Sequence, residues 1–420
     1  MTERARALTR ETFRSLGVRN FRLFFLGQLV SQVGNWLTLI GQTLLVLHLT
    51  DSGVAVGLLT AFQFVPVLLI GAWAGLVADR SDKRRLLLGV QVFAMVQSFV
   101  LAALAFTDSP PVAAIYAVAA FGGVAMAFDN PARRSLVVEL VEADDVPNAV
   151  SLNSALMTSA RVVGPALAGL LITTVGFGWC FALDGLSYVA VIAALVRMDP
   201  RRIRRGPVTD RGKGQVREGL RYVRRVPELW IPLAMMAIVG TLAFNFQVVM
   251  PLFVTRDLGG DASTFTWFFS VVSVGSLVGA LATARRRSTG VRDVVVTSGA
   301  FGASMLVLAV TPHLALAFPV GVVIGVASIG FMVSSTAIVQ LRADPVMRGR
   351  VLALQAIVFL GSTPIGGPIL GWVSEAFGAR VGVAVGGAAA LAAAAFGAVA
   401  ARRSRAAERS GPVPVLEPVA

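Results

Sequence analysis

Charged side chains are scarce in this chain. Asp, Glu, Lys and Arg make up 14% of its 420 residues, whereas 56% are hydrophobic. A soluble globular protein has about 25% charged and roughly 45–50% apolar residues. The shortage of charge excludes a single soluble core and predicts a protein that lies in a lipid bilayer.

Cysteine and histidine are almost absent. The one cysteine, Cys180, cannot form a disulfide within the chain, and we expect it to be a small apolar side chain in a helix. His48 and His313 are too few for an imidazole metal cluster. The sequence also lacks a Gly-x4-Gly-Lys-Ser/Thr phosphate loop and a His-Glu-x-x-His motif. We therefore expect no enzymatic activity, no metal and no cofactor.

Long apolar runs dominate the sequence instead. A run needs about 20 residues to cross the hydrocarbon layer as a helix, and barrel strands are about half as long and alternate in polarity. The sequence predicts an all-α membrane protein with twelve transmembrane helices. Their predicted positions, spans 1 to 12, are 21–47, 54–78, 86–106, 112–128, 148–173, 177–197, 228–254, 264–284, 293–311, 314–338, 351–373 and 380–401.

The basic residues are distributed asymmetrically around these spans. With a cytoplasmic amino terminus, all but three of the 37 Lys and Arg residues fall on one side; Arg161 lies inside a span, and Arg256 and Arg380 lie in outer loops. The positive-inside rule then predicts a protein of the cytoplasmic membrane with both termini in the cytoplasm. The net charge of +14 is thus a topology signal and not a nucleic-acid site. The first span is too long for a signal-peptide core, so we expect an uncleaved helix.

The chain is predicted to contain two related halves. Residues 1–197 form a first bundle of six helices, 198–227 a cytoplasmic linker with a surface helix at 215–225, 228–401 a second bundle of six, and 402–420 a cytoplasmic tail. Glycine-rich motifs recur with offsets of 204 and 203 residues: Gly75 matches Gly279, and Gly164-Pro165 matches Gly367-Pro368. Two six-helix repeats are typical of alternating-access transporters.

The sequence resembles the major facilitator superfamily over its full length. The resemblance is carried by Gly75-Leu-Val-Ala-Asp79-Arg80-Ser-Asp82-Lys83-Arg84-Arg85, in which Asp82 replaces the usual second glycine. Two further stretches are similar to the branch that includes the enterobactin and macrolide exporters. They are Phe21-Arg-Leu-Phe-Phe-Leu-Gly-Gln28-Leu-Val-Ser31-Gln-Val-Gly34-Asn35-Trp36 and Asp129-Asn-Pro131-Ala-Arg133-Arg134-Ser.

The resemblance assigns roles to two groups of residues. The inner-face group is expected to act as a conformational latch that holds the outward-open state, with a plain solvated charge cluster as the alternative for its individual Arg residues; it comprises Gly75, Asp79, Arg80, Lys83, Arg84 and Asp129. Gly164, Pro165 and Gly169 in span 5 are similar to the exporter motif of that helix. The alternative for this second group is a packing kink that an importer would share.

Polar side chains at helical spacing indicate a substrate cavity. In span 1 they share one face, which predicts a wall of an aqueous cavity or, alternatively, hydrogen bonds between helices. The predicted cavity residues are Gln28, Gln32, Asn35, Thr38 and Gln42 in span 1, Ser154, Thr158 and Arg161 in span 5, and Asn245 and Gln247 in span 7.

Two charged residues lie at similar depth inside spans. At 1.5 Å per residue, Arg161 is roughly 20 Å from the inner end of span 5, and Asp184 is about 10 Å from the outer end of span 6. Intramembrane charges are costly and usually paired. We therefore hypothesise that Arg161 and Asp184 form an ion pair that couples proton binding to transport, with a permanent packing pair as the alternative.

These features predict a secondary transporter, acting as a proton-coupled efflux antiporter of small hydrophobic or amphipathic molecules such as drugs, antibiotics or siderophores. We expect its partners to be the small-molecule substrate, protons and the bilayer, and the protein to be a monomer. Two alternatives stay open: an importer of a small nutrient, and a membrane scaffold or sensor that transports nothing.

Overall fold

All twelve predicted spans are present as helices. The computed structural model describes residues 12–204, 215–284 and 289–410, and no strand occurs within these ranges. The spans, in chain order and numbered 1 to 12 as above, are Arg19–Thr50, Gly53–Arg80, Lys83–Ala105, Val112–Glu139, Ala143–Thr174, Phe177–Arg197, Pro227–Asp257, Ala262–Thr283, Val291–Val310, Leu314–Arg342, Met347–Phe377 and Ala379–Ser404.

Polar caps mark where several spans begin. Ser52 accepts a hydrogen bond from the amide of Ala55 at the start of span 2, and Asp82 accepts one from the amide of Arg85 at the start of span 3. Asp261 does the same for Thr264 before span 8, at 2.7 Å. Such side chains satisfy amide groups that have no partner inside the helix. The short polar segments between apolar runs therefore set the helix boundaries.

Two spans differ from their predicted form. Span 4 continues to Glu139, eleven residues beyond the predicted end, because Asp129 and Arg133 pair within the helix at i,i+4 and Pro131 is accommodated inside it. Span 7 is not continuous: one helix, Pro227–Leu242, ends before Asn245 and a second, Phe246–Leu252, follows. The predicted surface helix is present as Gln215–Arg225, whereas 205–214 and most of the predicted tail lie outside the described residues.

Packing repeats itself with an offset of six spans. In the first half span 1 packs on spans 5 and 6, span 2 on span 4, and span 3 on spans 4 and 6. In the second half span 7 packs on spans 11 and 12, span 8 on span 10, and span 9 on spans 10 and 12. The two largest contacts between the halves, span 2 with span 11 and span 5 with span 8, are also equivalent under this offset. The halves are thus two copies of one arrangement.

The bundle has two ends that differ in charge. We call the end carrying Arg19, Arg80 and Lys83 the basic face, and the end carrying the turn at Asp51 and the residues 258–261 the far face. Spans 1, 3 and 5 run from the basic face to the far face, and spans 2, 4 and 6 return. Because the number of spans is even, both ends of the described chain lie at the basic face.

Candidate functional site

The two halves meet tightly near the far face. Gly53 and Gly57 of span 2 lie against Gly371 and Gly367 of span 11, and a Cβ at Gly57 would be 2.6 Å from the Gly367 carbonyl oxygen. On the other side of the molecule, Gly169 of span 5 lies directly against the Thr266 side chain of span 8. Glycine allows such close approach of helices in membranes. The Gly-Pro motif of span 5 and its copy in span 11 therefore close the far face.

A charged cluster reinforces this closure. Arg256, at the far end of span 7, donates to the Asp51 carbonyl and lies 3.2 Å from its Oδ1. The same guanidinium lies 3.5 Å from Oε2 of Glu375 in span 11. That Glu375 oxygen also accepts from the Gly53 amide at 2.6 Å, where span 2 begins. We call Asp51, Arg256 and Glu375 the far-face cluster; it joins the first half to the second.

The halves diverge toward the basic face. On span 5, the side of the helix that carries Pro165, Ala168 and Gly169 is buried near the far face. The same side carries Ser151 and Ser154 about three to five turns nearer the basic face, and there both residues are exposed. One stripe of a straight helix thus changes from buried to exposed along its length. The molecule is closed at the far face and open toward the basic face.

Arg161 lies at the closed end of this opening, near the middle of span 5. It is half-buried, fifteen residues from the start of the Val146–Thr174 helix, or about 22 Å at 1.5 Å per residue. Its guanidinium carbon lies 6.0 Å from the centre of the Trp36 ring. Trp36 in turn contacts Phe269 of span 8 at 5.9 Å between ring centres and packs on Gly164. Arg161 is therefore the charged group next to the closed end of the opening, on its basic-face side.

A charge at this depth is costly. Insertion scales place the cost of an Arg at the centre of a membrane helix at about 2.5–3.5 kcal/mol, and a contact with the face of an indole returns about 1 kcal/mol. Thr158 and Ser154, about one and two turns nearer the basic face, use their hydroxyls to bond backbone carbonyls of span 5. The helix places Ser154, Thr158 and Arg161 on one face, where Ser154 is exposed and the other two are half-buried. That they line a substrate cavity stays a prediction.

The predicted pair between Arg161 and Asp184 is absent from this structure. Asp184 is fully buried and accepts hydrogen bonds from Thr38 at 2.5 Å, Ser98 at 2.7 Å and Ser187 at 3.4 Å. These donors come from spans 1, 3 and 6. The prediction matched depths along two helices but not the directions in which the side chains point. Asp184 points into the core of the first half, and Arg161 points between spans 1 and 8.

The polar stripe of span 1 divides among its neighbours and does not line the opening. Asn35 accepts from the Tyr188 hydroxyl of span 6 at 2.8 Å, and Gln42 accepts from Gln63 of span 2 at 2.6 Å. Gln32 donates to Gln28 at 2.9 Å, and both residues are buried. In this conformation Asn35, Thr38 and Gln42 form the interhelical hydrogen bonds of the alternative interpretation, whereas the bond between Gln28 and Gln32 lies within span 1. Residues spaced three or four apart do not form a straight line along a helix, so one such stripe faces more than one neighbouring helix.

The span 7 candidates lie at the break in that span. Asn245 is buried and donates to the Thr241 carbonyl at 2.7 Å, while its Oδ1 has no hydrogen-bond partner among the described residues. Asn245 also packs against Gly366 of span 11. Gln247 is half-buried two residues further on. Asn245 therefore contributes to helix packing, and neither residue contacts Arg161.

Several residues predicted for the latch have contacts inside the first half. Lys83 lies 3.1 Å from Glu139, and Arg84 donates to the carbonyls of Leu195 and Val196 at the end of span 6. These contacts join spans 2, 3, 4 and 6 at the basic face.

Asp129 was predicted at the inner face, and the structure corrects this. It lies ten residues inside span 4, where it accepts from Gln91 and pairs with Arg133 at 3.0 Å. Gly75 and Asp79 are half-buried at the basic end of span 2, and Arg80 is exposed. Whether this group latches the halves in another conformation stays a prediction.

The sequence reasoning missed Trp36 and the far-face cluster. A signal for Arg256 was present, since it is one of only two basic residues outside the spans on the side opposite the other basic residues. The second, Arg380, lies within the second half, where it donates to the carbonyls of Ala309 and Thr311. For both Arg256 and Arg380, an isolated basic residue on the face with few charges thus indicates a contact between helices.

Relatives of known name are transporters. The chain is 28% identical over 176 residues to the staphyloferrin A transporter of Staphylococcus aureus, a match that covers 41% of this chain and only 44% of that protein. It is 24% identical over 373 residues to macrolide efflux protein A of Streptococcus pyogenes, covering 86% and 90% of the two chains. With the multidrug efflux pump Tap of Mycolicibacterium fortuitum it shares 25% identity over 385 residues, covering 85% and 89%.

Solved structures share the fold at low sequence identity. A peptide transporter, POT, superposes with a TM-score of 0.75 at 14% identity, covering 92% of this chain and 95% of that one. A bacterial homologue of the human lysosomal transporter Spinster, in an inward-facing and unoccupied conformation, gives 0.69 at 15% identity, covering 94% and 98%. Residues 11–415 match the family described as transmembrane secretion effectors. Together with twelve spans in two equivalent halves, this match shows that the chain belongs to that family of major facilitator transporters.

Proposed function

We propose that this protein exports small amphipathic molecules across the cytoplasmic membrane by alternating access, driven by protons. The observation that carries the proposal is the single opening toward the basic face, which ends at Arg161 beneath a closed far face. Relatives that match most of the chain are named efflux proteins, which favours export over uptake. A scaffold or sensor would need neither the opening nor the equivalent contacts that close it.

Orientation follows from charge. The basic face carries nearly all Lys and Arg residues, and such residues are retained in the cytoplasm. We therefore assign the basic face and both termini to the cytoplasm and the far face to the outside. The structure then represents the inward-open state, in which a substrate enters from the cytoplasm or the inner leaflet.

Alternation requires the far-face contacts to open while the basic face closes. Spans 2 and 11 separate from each other, as do spans 5 and 8, and because these two contacts are equivalent the halves rock about the centre of the molecule. Arg161 stays near the axis of this motion. It would face the cytoplasm in one state and the outside in the other.

Asp184 is the proposed proton site. It is a buried acid held by three hydroxyl donors, and it has no basic partner among the described residues. One of those donors, Thr38, lies two residues from Trp36 in the same helix. Protonation removes the charge that holds Thr38, which frees span 1 to move and carry Trp36 away from the closed far face. One proton moving down 100 mV supplies about 2.3 kcal/mol for this cycle.

The test measures accumulation of lipophilic dyes and macrolides in cells that express the wild type or carry an empty vector, with and without a protonophore. We expect lower accumulation with the wild type and loss of that difference on adding the protonophore. The Asp184→Asn variant should retain downhill exchange but lose its dependence on the proton gradient.

Asp257→Asn serves as the matched control, since Asp257 pairs with Arg380 inside the second half and should not affect coupling. Higher accumulation with the wild type than with the vector would show an importer. Gradient-driven export by Asp184→Asn at the wild-type rate would refute the proton site.

A further inference from the structure

Arg161 differs from Arg133, Arg256 and Arg380 in forming no ion pair among the described residues. Arg133 pairs with Asp129 at 3.0 Å, and Arg380 has Asp257 nearby together with two carbonyl groups. Arg256 is shared by two carboxylates of the far-face cluster. The fold therefore provides these three guanidinium groups with oxygen partners of its own.

Around Arg161 such oxygens are lacking. It forms no ion pair among the described residues, its Nε has no hydrogen-bond partner, and the acid at similar depth, Asp184, is satisfied by hydroxyls elsewhere. The contact the structure gives its guanidinium is the face of Trp36. An Arg can donate five hydrogen bonds in a planar fork that matches a carboxylate. Most of that capacity is unused.

The position of Arg161 makes this capacity available to a substrate. Viewed along span 5, its side chain emerges between Gly164, which packs on span 1, and Gly169, which packs on span 8. That direction is toward the axis between the halves. Toward the basic face the same stripe continues with Thr158 and the exposed Ser154. A molecule that enters the opening thus meets first hydroxyl groups, then a guanidinium beside an indole.

We propose that Arg161 is the anion-binding residue of the substrate site, and that the exported molecules are amphipathic organic anions whose carboxylate pairs with it. Trp36, whose ring contacts the buried Phe269 at an angle of 49°, supplies an apolar surface at the same level for the rest of the molecule. This inference rests on the proposed export function and adds the chemical class of the substrate. It also makes Arg161 specificity-determining, because a carboxylate is favoured there and a cation is repelled.

A pair of dyes that differ at the carboxyl group tests the proposal. Rhodamine 110 has a free carboxylate, and rhodamine 123 is its methyl ester. We expect the wild type to export rhodamine 110 at least tenfold faster than rhodamine 123, at equal dye concentration inside the cell. Arg161→Gln should slow export of rhodamine 110 at least tenfold without slowing export of the cationic rhodamine 123, which is then no longer repelled, whereas Arg161→Lys should retain part of the preference.

The matched control is Arg380→Gln, which removes a positive charge outside the opening and should leave the preference unchanged. Equal loss of both dyes in Arg161→Gln, at wild-type protein level in the membrane, would assign Arg161 a structural role and overturn the proposal. Equal export of the ester and the acid by the wild type would also overturn the proposal, although the proposed export function would then be supported. If the wild type exports neither dye, the result contradicts the proposed function and the inference loses its basis.

A second measurement does not depend on transport. Cys180 is the single cysteine, so Cys180→Ser provides a background for Arg161→Cys. A charged, membrane-impermeant thiol reagent added from the basic face of inside-out vesicles should modify that cysteine at least tenfold faster than the one in Val163→Cys. Val163 is 52% exposed but points away from the axis toward lipid. Equal rates at the two positions would contradict an aqueous location for Arg161.

Discussion

Removing the charge of Arg256 should open the far face. Arg256 takes part in two ion pairs, with side chains of Asp51 and Glu375 that are 86% and 38% exposed. Only the pair with Asp51 crosses between the halves, since Glu375 lies in the same half as Arg256. An exposed pair contributes about 0.2–1 kcal/mol, so Arg256→Gln should weaken the closed state by about that amount. Since 1.4 kcal/mol is a factor of ten, the ratio of far-open to far-closed molecules should rise about 1.4- to 5-fold.

Cysteine labelling measures this ratio. Thr60 of span 2 is 3% exposed and lies against Gly367 of span 11, so it becomes accessible only when the far face opens. In the Cys180→Ser background, a Thr60→Cys variant is treated with an impermeant maleimide from outside the cell. The labelling rate should increase with Arg256→Gln by the factor given above. The increase should shrink at 1 M salt, where the Debye length is about 3 Å.

Arg380→Gln is the matched control for this experiment as well. Arg380 also lies at the far face, but its contacts with Ala309, Thr311 and Asp257 stay inside the second half. It should leave labelling at Thr60→Cys unchanged. An equal increase with both variants would mean that net charge at the far face, and not the contact between halves, sets the equilibrium. No increase with Arg256→Gln would refute the role of the far-face cluster.

Three further predictions concern packing, charge and capping. Gly169→Val should hold the far face open, because its side chain would occupy the place of Thr266; labelling at the far face should rise and dye export should fall at least tenfold. Lys83→Met should destabilise the protein by about 3–5 kcal/mol, because it leaves Glu139 buried without its partner. The double variant Lys83→Met, Glu139→Gln should recover most of this lost stability, as measured by thermal unfolding. Hydrogen bonds from Thr264 at the amino end of span 8 lower the pKa of Asp261 below its ordinary 3.8. The capping contribution of Asp261 to stability, about 1 kcal/mol, is therefore complete above about pH 4 and is lost as the pH falls through the lowered pKa. Asp261→Ala should lower the unfolding temperature at pH 7 and not at pH 2.

The number and position of the spans could be predicted because the bilayer imposes them. A helix that crosses lipid needs a long apolar run, and the turns at 51–52 and 81–82 are polar and short. Span 4 was predicted too short for a related reason. Its last eleven residues include Asp129 and Arg133, which look like a loop by composition but neutralise each other one turn apart inside the helix.

The direction of each polar side chain could not be predicted in the same way. Depth follows from counting residues, but the neighbour that a residue faces depends on how helices are arranged around the axis. Asp184 and Arg161 therefore agreed in depth and still pointed apart. Asn35 and Gln42 share a helical stripe, yet one bonds span 6 and the other span 2. The sequence also gives no sign that Trp36 belongs to the site, because its role depends on its contact with Arg161, which only the structure shows.

The connection between the halves limits how far they can move. Arg204 donates to the Glu139 carbonyl and pairs with Glu142, so the start of the connection is fastened to the first half. The helix Gln215–Arg225 is fastened to the second half, where Glu218 lies 2.9 Å from Arg350. Eleven peptide units join these two anchors, which at 3.3–3.6 Å per residue reach about 40 Å at most. The connection thus sets an upper limit on the distance between its two anchors, and deleting residues from it should progressively restrict how far the halves can separate at the basic face.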